Sequence, residues 1–398
     1  IIMKKVIFCA TALLLGTVGF AQSNQSDVLQ QGNGNVSDVA QTGLMNVSDV
    51  DQIGDANDAE VDQVGTTNDS DKDQLGNNNQ YKTSQTGTDN TAITLQDGNG
   101  NQGGGASLIY GTLQNGTNNT AFTTSTGDGN NAGTRQFGTD NASDINQLGN
   151  GNVANGTQWG VRQSGDRNNA DVDQIGNNNV VDNLRQDGED NQFKITQTGE
   201  SNFASSLQDG ARNLGGGASL TWGINQDGNG NTATNSSIGD DNNSGTGQYG
   251  DANVSTIEQV GNMNDANGGS FGNYQVGNVN TAYIGQFGDL NDAQNTSFGN
   301  ENNASATQTG NSNVSTINQL GNLNNAVTSQ TGDSNMSDVD QEGDNNMSTV
   351  GQDGFMNNSF VNQLGNGNTS GVSQTGTTHN SIVNQIGNGN GSSVIQNN

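Results

Sequence analysis

Polar and apolar positions along the chain repeat every eleven residues. Written from its glutamine, the unit is Gln-x-Gly-x-x-Asn-x-(Ala/Ser)-x-(Val/Ile/Thr)-x. Gln41 to Asp51 is one copy, with Gly43, Asn46, Ser48 and Val50 at the fixed places, and Gln52 opens the next with Gly54, Asn57, Ala59 and Val61. Asn46, Ser48, Val50 and Gln52 are spaced by two. In an extended strand that spacing puts all four on one face and Val47, Asp49 and Asp51 on the other. The pattern predicts a seven-residue strand from Asn to Gln, then a four-residue turn whose glycine takes a conformation that a β-carbon would forbid. Strand, turn, strand, turn makes a rung of two units. Stacked rungs bring unit n over unit n+2 at about 4.8 Å and place identical side chains in register. The expected fold is therefore all-β, a solenoid with two strands per rung. In it, columns of Gln and Asn (Gln41, Gln52, Gln63, Gln74; Asn46, Asn57, Asn68) hydrogen-bond amide to amide, beside glycine columns (Gly43, Gly54, Gly65) and small-residue columns (Ser48, Ala59).

Thirty-one such units begin between Gln30 and Gln385. The glycine is present in all of them, the asparagine in thirty, with His379 as the exception, and the glutamine in twenty-eight, with Ser125, Ser237 and Ser297 in its place. One strand precedes them, so thirty-two strands and sixteen rungs are expected. Four units are stretched, after Asn101, Asn152, Asn213 and Asn264. The insertions recur at a fixed offset: Gly103-Gly-Gly-Ala-Ser-Leu-Ile-Tyr110 returns as Gly215-Gly-Gly-Ala-Ser-Leu-Thr-Trp222, and the shorter one around Trp159 returns around Phe271 and Tyr274. That makes 96–207 and 208–318 a duplicated nine-unit block. Nine is odd, so the two copies of an insertion should lie on opposite sides of the solenoid. The insertions carry Tyr110, Trp159, Trp222 and Tyr274, which read either as exposed contacts to other fibres, a surface or a glycan, or as loops folded over their own rungs.

Composition adds a constraint. Leu, Ile, Val and Phe make up only 72 of 398 residues and the formal charge is −30, values typical of disordered chains. Disorder does not require a spacing, however, and the chain has no proline to interrupt backbone pairing. A disordered state is expected only before rungs stack, since each is marginal alone. The charge excludes nucleic acids and anionic lipid surfaces as partners. Residues 1–21 differ from the rest: Lys4 and Lys5 follow Met3, an apolar run spans Val6 to Leu15, and small residues end in Gly19-Phe20-Ala21. This reads as a secretory signal peptide cleaved before Gln22, too short to span a bilayer, with Ile1 and Ile2 outside the natural product. The only cysteine, Cys9, lies within it, so 22–398 is expected to be exported as a single solenoid without disulfides or membrane insertion.

Catalysis needs a convergent set of acid, base and nucleophile, and one histidine with few basic residues offers little of that. His379 stands at an asparagine position, where an imidazole can replace the amide as a hydrogen-bonding group. No enzyme activity and no cofactor are expected. Asp49, Asp51, Asp71 and Asp73 should stack as an outward carboxylate column. That column reads either as a calcium site or as a repulsive surface that limits aggregation.

At these residues the sequence resembles the curlin repeat, Ser-x5-Gln-x-Gly-x2-Asn-x-Ala-x3-Gln. Its halves are seen in Ser26 to Gln30, Gln41 to Asn46 and Asn57 to Gln63. The resemblance implies a subunit of curli, the extracellular amyloid of biofilm matrix, exported unfolded through an outer-membrane secretion apparatus and polymerised on a nucleator subunit. The chain has many more repeats than the usual curlin subunits. A minor nucleator or a self-contained solenoid adhesin are the alternative readings.

Overall fold

The structure, a computed structural model, describes residues 23–103, 111–154, 160–215, 223–267 and 271–398. The leader and Tyr110, Trp159 and Trp222 lie outside the described residues. Every described element is a strand, and the strands alternate between two parallel sheets. Each sheet contains nineteen segments; three of its strands are interrupted, which leaves sixteen strands per sheet and sixteen rungs. The stacking register is two units where no insertion intervenes: Val47–Ile53 lies on Asp69–Leu75 with Ser48 opposite Ser70, Asp49 opposite Asp71 and Gln52 opposite Gln74. The inward set is buried, with Ser48, Val50 and Gln52 at most 1 % exposed, while Val47 and Asp49 face outward. Asp is a poor strand former. The outward row is rich in it, so stacking and the inward set, rather than local propensity, hold these strands.

Two details differ from the sequence expectation. The strand begins one residue after the asparagine, at Val47 rather than Asn46. Asn46 instead closes the turn: its backbone N–H donates to Asn24 Oδ1 at 3.0 Å and its Nδ2 donates to the carbonyl of Gly65 at 3.1 Å. The turn also has two special backbone positions rather than one. Gly43 has φ 119°, and a β-carbon there would come within 1.8 Å of the Gly65 carbonyl oxygen, so both conformation and close approach demand glycine. The residue before the asparagine is left-handed too, as at Met45 with φ 55°, although most side chains are disfavoured there.

The two longer insertions begin at Gly103 in the second sheet and at Gly215 in the first, so these copies lie on opposite sides. Each accommodates a ring on the rung beneath. Tyr81, at a place otherwise held by Ala or Ser, points inward and is 2 % exposed. β-Carbons on Gly103 and Gly111 would come within 2.2 and 2.5 Å of its ring. Phe193 stands in the same relation to Gly215 and Gly223. A large ring in a small-residue layer thus lies where the strand of the next rung is interrupted, between its second and fourth positions.

Candidate functional site: amide ladders and end rungs

Three polar ladders run along the axis. In the first, Gln30 Nε2 donates to Gln52 Oε1 at 2.7 Å, Gln52 to Gln74 at 2.9 Å and Gln74 to Gln96 at 2.8 Å. The facing sheet repeats this through Gln41, Gln63 and Gln85, at 2.8 Å per step. From Gln41 on the ladder glutamines also donate across the core to a backbone carbonyl, as Gln52 does to Val36 at 2.8 Å and Gln63 to Val47 at 2.8 Å. Where serine replaces glutamine only the outgoing bond is kept: Ser125, Ser237 and Ser297 each donate to the next Gln at 2.8–3.0 Å, while Gln96, Gln208 and Gln275 before them donate to backbone carbonyls. The second ladder is the asparagine column, in which Asn57, Asn68 and their equivalents accept and donate as Asn46 does. His379 fits this column: its backbone N–H donates to Asn357 Oδ1 at 3.0 Å and its Nε2 lies 3.0 Å from the Thr375 carbonyl.

The third ladder was not anticipated. On one edge of the solenoid the residue after the turn glycine is almost always Asn or Asp, and each backbone N–H donates to the side chain one rung on. Asn33 donates to Asp55, Asp55 to Asn77 and Asn77 to Asn99, at 2.7–3.0 Å. Acidic members of this column, Asp55, Asp128, Glu200, Asp251 and Asp344, never occupy neighbouring rungs. The Gly-Asx pairs were the available signal. Not every polar group is paired: the hydroxyls of Ser48, Ser70, Ser337 and Ser348 are buried without partners, which leaves the small-residue layer a question of size rather than of hydrogen bonding.

Lys72 interrupts the column of Val50 and Thr94 and points into the core, fully buried. Its Nζ donates to the carbonyls of Glu60 at 2.8 Å and Tyr81 at 3.0 Å and lies 5.5 Å from the Tyr81 ring centroid. Burial pushes its ammonium down to about 7, against the attraction of Glu60 and Asp58. The Tyr81 hydroxyl, held up by burial, lies within hydrogen-bond distance of Thr112 at 2.9 Å and donates to Thr123 at 3.1 Å.

On the outer surface Asp27, Asp49 and Asp71 form one column, and Asp51 and Asp73 stand beside it. Burial first, then the neighbouring carboxylates, raises Asp49, Asp71 and Asp73 above the usual carboxylate range. Elsewhere such columns hold a cation: Lys194 meets Asp171 at 2.7 Å and Asp173 at 2.6 Å, and Lys82 meets Glu60 and, at 3.0 Å, Asp62. Among the described residues no group of three or more His, Cys, Asp or Glu is arranged to hold a metal ion.

The end rungs are complementary. Gln25–Gln31 and Val36–Leu44 turn Ser26, Val28 and Gln30, and Ser37, Val39 and Gln41, toward the core. At the other end Asn380–Ile386 and Gly391–Asn397 turn inward Ser381, Val383 and Gln385, and Ser392, Val394 and Gln396, the same residues in the same order. The connecting turns match as well, Gly32-Asn33-Gly34-Asn35 and Gly387-Asn388-Gly389-Asn390. Laid one on the other, Asp27 meets Ile382 and Asp38 meets Ser393, so no carboxylate faces another.

The family model of the curlin associated repeat matches residues 315–343, 324–354 and 343–376. No curated protein matches the chain. These stretches match the curlin associated repeat, and the unit they contain continues through the other described rungs. Repeat and fold together point to a structural protein of the curli type rather than an enzyme.

Proposed function

We propose that this chain, a β-solenoid carrying curlin associated repeats, is the structural subunit of an extracellular curli-type fibre that contributes to biofilm matrix and adhesion, and that it polymerises head to tail. The observation that carries this reading is the identity of the inward residues and turns at the two end rungs. A second copy placed over Asn380–Asn397 extends both sheets, the glutamine ladder and the turn ladder without a change of phase. Open strand edges otherwise leave backbone donors and acceptors unpaired, so stacking stabilises both partners. The partners on this reading are further copies of the chain, a nucleating subunit and an outer-membrane secretion apparatus.

Electron microscopy and fibre diffraction of residues 22–398 in buffer with a chelator test it. Fibres with a meridional spacing near 4.8 Å and an axial repeat of about 77 Å, sixteen rungs, are expected. A monomer that persists for days at high concentration, or an axial repeat that does not fit sixteen rungs, would refute it.

A further inference from the structure

The second nine-unit block carries, on the outer face of the first sheet, the described chain's main aromatic cluster. Tyr274 stacks on Phe271 with ring centroids 5.8 Å apart and planes 4° from parallel. Tyr249 and Phe298 meet Tyr274 edge-on at 5.7 and 5.6 Å from the neighbouring rungs. Phe271 is only 6 % exposed, because Gly247 beneath it leaves room: a β-carbon there would lie 2.7 Å from the ring. Tyr249, Phe271, Tyr274 and Gln294 line a groove of about 390 Å³. Its polar groups are few and specific. The Tyr249 hydroxyl accepts from Asn225 Nδ2 at 2.8 Å and keeps its own proton to donate, and the Gln294 side chain reaches the groove from the next rung but one.

We propose that this groove binds a neutral pyranose unit of a glycan. Flat aromatic faces pack against the C–H face of a sugar ring, and a phenol and an amide at the rim match its hydroxyls, the mixture of apolar floor and sparse polar groups that small-ligand sites use. A bare apolar chain would leave that phenol and amide unanswered. The chain's charge of −30, with Asp227 near Tyr249, repels uronates, sulfated sugars and phosphates, which restricts the ligand to neutral sugars.

The first block supplies an internal control. There Arg135 stands at the place of Gly247, Phe137 at that of Tyr249 and Arg162 at that of Tyr274, as the registers Arg135 to Arg162 and Gly247 to Tyr274 show. The first block therefore carries two arginines where the second has a glycine and a phenol. The inference does not depend on the fibre reading, since the groove lies within one chain.

The test is titration of the full chain with cellohexaose and maltohexaose, followed by saturation-transfer NMR, with oligogalacturonate as the anionic comparison. Saturation transfer to at least one neutral hexasaccharide is expected, and none to oligogalacturonate. Tyr274→Thr, chosen because Thr296 is its sheet neighbour, should weaken binding at least about tenfold, about one well-made ring contact. Gln294→Leu keeps the rings and should also weaken it, while Phe137→Thr in the first block should not. Circular dichroism and electron microscopy of each variant report fold and fibre formation separately. No transfer to either neutral sugar at about 10 mM, equal binding of oligogalacturonate, or undiminished binding by a folded Tyr274→Thr or Gln294→Leu chain would overturn the proposal.

Discussion

Replacing Gln52 and Gln74 by leucine, singly and together, tests whether the ladder is a chain of coupled bonds or a row of independent ones. Gln52→Leu orphans one buried group, Gln74 Oε1, since the Gln30 amide lies on the exposed end rung and the Val36 carbonyl keeps its strand partner. Gln74→Leu orphans two, one N–H of Gln52 and Gln96 Oε1, the Asp58 carbonyl again keeping its strand partner. The double change orphans only Gln96 Oε1, because the bond between the two glutamines vanishes with both partners. At about 1 to 2 kcal/mol per buried orphan, Gln52→Leu costs about 1 to 2 kcal/mol, Gln74→Leu about 2 to 4 and the double change about 1 to 2. The expected coupling is therefore about 2 to 4 kcal/mol in favour of the double variant. Guanidinium unfolding of all four chains, followed by far-UV circular dichroism at one protein concentration, measures it, since assembly shifts apparent stability by mass action. Strict additivity, or single changes that cost less than about 1 kcal/mol, would mean that the amides are solvated or interchangeable and that the ladder argument is wrong.

Four further outcomes follow from the same geometry. Gly54→Ala should cost at least about 1 to 3 kcal/mol, because φ there is 126° and a β-carbon would lie 1.9 Å from the Gly76 carbonyl oxygen; the guanidinium midpoint reads it. Ser48→Ala and Ser70→Ala should be neutral or stabilising by up to about 1 kcal/mol in the same assay, since each removes a buried hydroxyl without a partner. The folded state holds Lys72 neutral above about 7 while the unfolded chain keeps its proton to about 10.5, so stability should rise between those pH values, by at most about 5 kcal/mol, and Lys72→Met should flatten that rise in denaturant midpoints taken across the window. The raised Asp49, Asp71 and Asp73 bind protons more readily in the folded state than in the unfolded one, so acidification toward the ordinary carboxylate range should stabilise the stack and speed assembly; changing all three to Asn should speed it at neutral pH and reduce the acid effect, the rest of which falls to other raised carboxylates such as Asp69, Asp171 and Asp265, as followed by light scattering.

The parts of this fold that were legible in the sequence are those fixed by a strict period. A spacing of two positions decides which face a residue occupies, and a spacing of two units decides what it touches, so the pairing of Asp49 with Asp71 and of Gln52 with Gln74 needed no tertiary information. The second left-handed position was less visible, because Met45, Ala56 and Thr67 share no chemistry. Only the units with glycine there, such as Gly34, Gly100 and Gly389, mark it. Lys72 was hidden for a different reason. A lysine among Asp69, Asp71 and Asp73 reads as a surface charge, yet its place in the unit is the inward one. Register overrides composition at that point, and the ammonium finds two carbonyls in place of water.

The insertions show where single-unit reading stops. The two longer ones were visible as extra residues, but the ring each meets sits a full rung upstream in the chain. Phe193 follows Tyr81 at the same spacing at which Gly215 follows Gly103, and that shared spacing was the only trace in the sequence. The structure makes the dependence mutual. Without the ring, Gly103 and Gly111 would flank a void in a layer filled mostly by Ala and Ser, and with side chains on those two glycines the Tyr81 ring would not fit. A ring and its insertion are therefore expected to be gained or lost together. Because nine units separate the copies, that exchange sets one pair on each sheet, at Gly103 and at Gly215, and keeps the two disturbances from stacking on the same face.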